Sequence, residues 1–272
     1  MYKGWKNMLT LVALDMDGTL LNDERKISLF NERVIKKIKS KGTKIVLASG
    51  RPYNGLKPYL KQLDLINKDD YSITYNGALI INNKTQEIIF KKILNQDIVF
   101  QALELAKKLN IGFFAYNNQS QILTENITEY VKFEQELTHN ELLTINFKEV
   151  KNEYYKITFT ASKENLDQYY SLIKKQFNQD YTVIRSHDFF IEIINKEASK
   201  GQALDFLLDY LKLERKNIAA FGDNENDYSM LMVANHKFVM NNSTSDKLKD
   251  IAEEIVPNNF DDGVGLTLQK YL

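Results

Sequence analysis

Short apolar runs alternate with amphipathic stretches at the start of the chain. Residues 9–14 read as a buried strand. Residues 28–41 carry Phe30, Val34, Ile35 and Ile38 at helical spacing, and Gly42 stops that helix. Residues 44–48 form a second apolar strand, 52–63 a second helix, and 72–75 a third strand ended by Asn76-Gly77. Strand, helix, strand, helix, strand predicts an α/β core built on a doubly wound parallel sheet. The rhythm then changes. Residues 79–82 and 87–92 pair around an Asn83-Lys84 turn, 96–109 are helical, and 111–116 and 121–124 are short strands. A strand at 155–161, a helix at 163–177 and a long strand or hairpin at 181–194 follow. Strands and helices pair less regularly here, as in an α+β module. The first pattern returns with helix 200–211, strand 217–221, helix 227–233, strand 237–240 and helix 245–252. An inserted module, residues 84–191, within a core of residues 1–83 and 192–272 explains this order better than two domains in tandem.

Composition narrows the chemistry. A chain of 272 residues has room for two domains. Its 36 basic and 36 acidic side chains cancel, so it is a poor electrostatic trap for nucleic acid or anionic lipid, and neither is expected as a partner. There is no cysteine, which excludes disulfides, thiol nucleophiles, iron–sulfur clusters and cysteine zinc sites. The three histidines, His139, His187 and His236, form no HExxH pair. Metal chemistry must then lean on oxygen ligands, which favour hard cations such as Mg²⁺. Lys3 and Lys6 precede no long apolar region, and 9–14 is too short for a signal peptide or membrane span, so a cytoplasmic protein is expected.

Four polar clusters follow predicted strands or open predicted helices. Asp15-Met16-Asp17-Gly18-Thr19 ends the first strand, where open α/β sheets bind ligands. Side chains two apart on an extended chain point the same way, so Asp15 and Asp17 are expected to face one crevice. Two crowded carboxylates need a proton or a cation between them; an acidic turn is the other reading. Ser49-Gly50-Arg51 follows the second strand and reads either as a phosphate cradle or as a helix N-cap with Ser49 as the cap. Lys200-Gly201 opens a late helix; the lysine is either a phosphate partner or simply solvated. Gly222-Asp223-Asn224-Glu225-Asn226-Asp227 follows the strand at 217–221, and Asp227 can share a site with Asp223 if a helix begins there.

In order and composition these clusters resemble the four motifs of haloacid dehalogenase-superfamily phosphatases. Asn76-Gly77-Ala78 and Asp262-Gly263-Val264 look like the Cof-like, sugar-phosphatase-type subfamily, and the insert is similar to that subfamily's α/β cap. One departure is Asn241-Asn242, where the family commonly has a small residue beside asparagine. The resemblance implies a Rossmann-like core with an inserted cap and hydrolysis of small phosphorylated metabolites through an aspartyl-phosphate. It implies that Asp15 is the nucleophile and Asp17 the general acid and base, with a pKa raised by a nearby carboxylate and partial burial. It implies Mg²⁺ held by Asp15, Asp223 and the Asp17 carbonyl, with Asp227 behind them or bound through water. Thr19, Ser49, Gly50, Arg51, Asn76, Lys200 and Asn226 are the candidate substrate contacts. Four carboxylates and a phosphate monoester would need Mg²⁺ and Lys200 as counter-charge.

The insert is expected to close over the crevice and supply the leaving-group pocket. Its aromatics, among them Phe113, Phe114, Tyr116, Phe189 and Phe190, read mainly as core, and His187-Asp188 as an exposed turn. A monomer or small homo-oligomer is expected. Two other readings stay open. A sugar phosphomutase would share the covalent intermediate, and a phospho-acceptor signalling module would share the acids, the lysine and Mg²⁺ but needs neither Asp17 as an acid nor a large cap.

Overall fold

The computed structural model describes residues 8–272; Lys3 and Lys6 lie outside the described residues. The first part of the chain runs β1 (Leu11–Leu14), α1 (Leu29–Ser40), β2 (Lys44–Ala48), α2 (Tyr53–Gln62), β3 (Tyr71–Thr74), β4 (Leu79–Asn82) and β5 (Ile88–Lys91). Next come α3 (Gln96–Leu109), β6 (Gly112–Asn117), β7 (Ile122–Thr124), α4 (Glu129–Thr138), β8 (Leu142–Thr144), β9 (Tyr154–Thr160), α5 (Lys163–Phe177), β10 (Tyr181–His187) and β11 (Phe190–Asn195). The last part is α6 (Lys200–Tyr210), β12 (Ile218–Gly222), α7 (Tyr228–Val233), β13 (His236–Met240), α8 (Asp246–Ile251), β14 (Glu254–Val256) and α9 (Gly263–Gln269).

These elements form two compact units. One holds the described residues through Gly50, Leu56–Phe90 and Ser199–Leu272; the other holds Arg51–Gly55 and Lys91–Ala198. The chain therefore changes unit after Phe90 and before Ser199, later on both sides than the pattern of the sequence suggests. The reason is pairing: β5 extends the edge of the larger sheet beside β4, and β11 stays bonded to β9 in the smaller one.

The larger sheet has the order β14-β13-β12-β1-β2-β3-β4-β5. Pairs from β14 to β3 are parallel, and β4 turns antiparallel to β3. Its central strands are buried on both faces, with every residue of β1 and β12 inaccessible, so they read as unbroken apolar runs. Each fully buried Leu or Ile there contributes about 1.5–3 kcal/mol relative to exposure. α1 follows its sequence pattern closely. Ser28 caps it by accepting from the Asn31 N–H at 3.0 Å, Val34, Ile35 and Ile38 face inward, and Gly42 follows at φ +101°.

The smaller sheet has the order β10-β11-β9-β6-β7-β8, antiparallel except for β7 with β8. One face packs Phe113, Ile157, Phe159, Ile191 and Ile193 with Val99, Leu103 and Leu166 from α3 and α5. The expected long strand at 181–194 is a hairpin, bulged between Arg185 and His187. His187 is half-buried, its ring 3.9 Å from that of Phe189, rather than in an exposed turn. The other face carries charge. Lys156 Nζ donates to Glu192 Oε1 at 2.6 Å, and the Tyr116 hydroxyl donates to Glu134 Oε1 at 2.7 Å. Burial raises the Glu134 carboxyl, while Lys156, Tyr116 and Arg51 pull it back down. No helix among the described residues is long and apolar enough to cross a membrane.

Candidate active site

Because β1, β2, β3, β12 and β13 run parallel, their C-terminal ends share one edge of the larger sheet. Asp15 follows β1, Ser49 follows β2, Asn76 lies just past β3, and Asp223 follows β12. Lys200 enters the same place as the first residue of α6, which packs close to the turn after β3: a Cβ at Gly77 would collide with the Ser199 carbonyl.

The Lys200 ammonium is wholly inaccessible, not the solvated lysine its sequence allows. It donates to Asp15 Oδ1 at 2.5 Å and to Asp227 Oδ1 at 2.6 Å. Burial pulls its pKa down, but the two carboxylates outweigh that and hold the ammonium charged, above the usual lysine range. Asp227 Oδ2 accepts the backbone N–H groups of Asp223 and Asn224 at 3.0 and 3.1 Å. Asp227 thus fixes both the lysine and the loop that presents Asp223, from a short 3₁₀ turn, Glu225–Asp227, that precedes α7. Asp223 Oδ1 accepts from the Thr19 hydroxyl at 2.8 Å, so Thr19 holds an acid rather than facing a substrate oxygen with that proton.

Asp15, Asp223 and Asp227 each offer an oxygen, all within 4.8 Å of one another. The cost of this crowding falls on the acids. Burial first, then the Asp227 charge, raises the Asp15 carboxyl well above its ordinary value, against the pull of Lys200. The same two causes push Asp223 up to about 6. Three carboxylates against one ammonium leave excess negative charge, and an all-oxygen donor set suits a hard divalent cation.

A second polar group lies on the same unit. Asn76 sits at φ +56° and donates its backbone N–H to the Ser49 carbonyl at 3.0 Å. Its Oδ1 accepts from Asn226 Nδ2 at 2.9 Å, and a Cβ at Gly50 would press on its amide at 3.0 Å. Ser49 is not the cap of α2, since that helix begins at Tyr53. Arg51 opens a short stretch, Arg51–Gly55, that belongs to the other compact unit.

Asp17 departs from expectation. The chain leaves extended geometry at Met16, whose carbonyl accepts the N–H groups of Thr19, Leu20 and Leu21 at 3.3, 3.0 and 2.9 Å. The two-residue alternation of a strand therefore stops before Asp17, which is exposed rather than partly buried. Gly18 turns the loop at φ +84°, and a Cβ there would strike the Asp223 carboxylate. The spacing of the motifs also missed Asn242. Its Nδ2 donates to the Gly18 carbonyl at 2.8 Å; its place after the strand at 237–240 and the asparagine that the resembled family has there are the signals that point to this edge of the sheet.

Known proteins carry the same architecture. The family model described as haloacid dehalogenase-like hydrolase matches residues 12–268. A Bacillus subtilis (strain 168) protein named "Putative phosphatase YxeH" is 34% identical over 256 residues, 93% of this chain and 94% of its own. The 5-amino-6-(5-phospho-D-ribitylamino)uracil phosphatase YitU of the same organism is 27% identical over 280 residues, 96% of this chain and 97% of its own. The crystal structure of a haloacid dehalogenase-like hydrolase from Bacteroides thetaiotaomicron matches with a TM-score of 0.88 at 28% identity, covering 97% of this chain and 100% of that one. Family model, relatives and fold agree with the acids gathered at the sheet edge: the chain belongs to the haloacid dehalogenase-like hydrolases and is a phosphatase of that family.

Proposed function

We propose that this phosphatase hydrolyses small phosphomonoesters of cytoplasmic metabolites, sugar and polyol phosphates foremost, with Mg²⁺ as cofactor and Asp15 as the phosphoryl acceptor. The observation that carries this reading is the buried Lys200 ammonium shared by Asp15 and Asp227, with Asp223 close enough for its oxygen to meet theirs. Asp15 and Asp223 are the side-chain ligands in this reading, the Asp17 carbonyl is a third, and Asp227 acts from behind Lys200 or through water. Bound there, Mg²⁺ would offset the charge of carboxylates and phosphate that otherwise repel.

An Asp15 carboxylate oxygen attacks phosphorus and the P–O bond to the alcohol breaks, leaving an aspartyl-phosphate. Asp17 gives its proton to the departing alkoxide. It then takes a proton from the water that attacks the phosphorus of the intermediate, so inorganic phosphate leaves and Asp15 is regenerated. Lys200 stays charged throughout and orients the nucleophile. Ser49, the Gly50 N–H and Asn226 are the candidate donors to the transferring phosphoryl oxygens. The relative named for a phosphoribitylamino-uracil supports testing polyol phosphates beside hexose phosphates.

The test is turnover of p-nitrophenyl phosphate and a panel of phosphorylated metabolites, with Mg²⁺ and with chelator. Phosphate release that needs Mg²⁺ and vanishes in Asp15→Asn, with circular dichroism unchanged, is the expected result. Turnover retained by Asp15→Asn would remove the covalent route. Isomerisation without phosphate release would make the protein a phosphomutase.

A further inference from the structure

The loop that carries Asp17 is tied at two points by side chains from a distant part of the chain. Asn242 follows β13, and its Nδ2 donates to the Gly18 carbonyl at 2.8 Å. Its Oδ1 accepts the Asn259 N–H at 3.1 Å. Asn259 in turn donates its own Nδ2 to the Leu21 carbonyl at 2.8 Å. The two amides thus form a continuous chain from one end of the 18–21 turn to the other. Between these anchors, the Met16 carbonyl gathers the N–H groups of Thr19, Leu20 and Leu21. Asn259 is almost fully buried and Asn242 half-buried, so bulk water competes poorly for their bonds.

The residue type matters. Asn242 must donate to a carbonyl with one amide atom and accept an N–H with the other. Aspartate loses the donor, and serine is too short to reach both. The neighbouring Asn241 is exposed and bonds instead to Asn258, at 3.1 Å. Asp17 itself is exposed, and burial does not fix it. Its carboxyl is carried by the Asp17–Gly18 backbone, and one carbonyl of that turn is held by Asn242.

We infer that Asn242, braced by Asn259, is a positioning residue that holds the Asp17–Gly18 turn so that the Asp17 carboxyl is aimed at the leaving-group oxygen. The inference rests on the acid role of Asp17 proposed above. Loss of the clasp should leave the nucleophile and its lysine in place; any loosening of the Asp17 carbonyl toward Mg²⁺ would slow all esters alike, while the blurred acid would slow them unequally. It should then matter most for alcohols that need protonation to depart, since positioned general acids contribute roughly 10²–10⁴-fold.

The experiment compares an alkyl phosphate, such as glycerol phosphate, with p-nitrophenyl phosphate, whose leaving group needs little protonation. In Asn242→Ala, kcat for the alkyl ester should fall about tenfold more than kcat for p-nitrophenyl phosphate. Asn241→Ala should leave that ratio unchanged. In an Asp17→Asn background, Asn242→Ala should add no further selectivity, because it acts through Asp17. Equal losses for both esters, or additive selectivity in the double variant, would overturn the inference. Hydrogen exchange of the peptide spanning 16–21 gives a readout independent of turnover: it should quicken in Asn242→Ala, and unchanged protection would also overturn the clasp. If Asp17→Asn alone shows no leaving-group selectivity while exchange quickens as expected, the acid role is what fails and the clasp survives.

Discussion

Asp223 pays a measurable penalty for its place in the site, and Asp223→Asn exposes it. Burial and the Asp227 charge raise its carboxyl from 3.8 to about 6. A rise of that size corresponds to about 3 kcal/mol, and solvent at this half-buried group screens it to about 2–3 kcal/mol. The sign follows from linkage. The raised carboxyl contributes stability that is fully present below its ordinary value and is lost as pH climbs through about 6. Asp15, raised by burial and the same neighbour, titrates with it as a pair and acts in the same direction. In chelator, then, Asp223→Asn and the unaltered protein should be equally stable near pH 4, and the variant about 2–3 kcal/mol more stable at pH 7. In saturating Mg²⁺ the order should reverse, because the variant has lost a ligand and the unaltered protein gains binding free energy on folding. Urea unfolding followed by circular dichroism from pH 4 to 7 measures both. A stability difference that stays flat across that range in chelator would refute the electrostatic account. A difference unaffected by Mg²⁺ would refute the ligand role of Asp223.

Two further variants probe the same site from other sides. Lys200→Met removes the ammonium between two buried carboxylates. Unfolding free energy in chelator should fall by about 3–5 kcal/mol, and kcat for p-nitrophenyl phosphate should fall by at least roughly 100-fold in Mg²⁺; a loss under threefold in kcat would show that Asp15 needs no such partner. Gly18→Ala adds a Cβ against the Asp223 carboxylate at a left-handed backbone position. The Mg²⁺ concentration for half-maximal turnover should rise about tenfold or more, and an unshifted titration would show that the loop yields without moving the acid.

Much of this site is legible in the sequence because its acids follow apolar runs, and a parallel sheet sends all such ends to one edge. Asp15 and Asp223 could be placed from that rule alone. What sequence spacing misses depends on contacts between distant segments. Lys200 alone resembles any solvated lysine; its burial comes from α6 packing against β3, β4 and α7 and from its bonds to Asp15 and Asp227, all set by the fold. Asn242 looks like a turn residue in a polar stretch, and the Gly18 carbonyl it serves is 224 positions away. α4 escaped the periodicity reading because its inward positions are Val131, Glu134 and Thr138, which make no apolar stripe. β8 and β14 are three-residue strands, too short for alternation to show. The partial burial expected of Asp17 fails for a different reason: strand alternation does not extend past the point where the Met16 carbonyl ends it.

Ser49-Gly50-Arg51 shows why a contiguous motif need not act as one group. Read along the chain, a hydroxyl, an exposed backbone N–H and a helix N-terminus make a phosphate cradle, with Arg51 beside it as a further candidate contact. In space the first two lie with Asn76, through the Ser49 carbonyl and the close approach of Gly50. Arg51 opens a five-residue stretch that belongs to the other unit, where Asn54 donates to Asn140 Oδ1 at 2.7 Å and the Arg51 charge favours ionised Glu134. The physical division therefore falls inside the motif. Ser49 and Gly50 belong to the unit that holds the acids and Lys200, and Arg51 opens the short stretch that packs with the other unit.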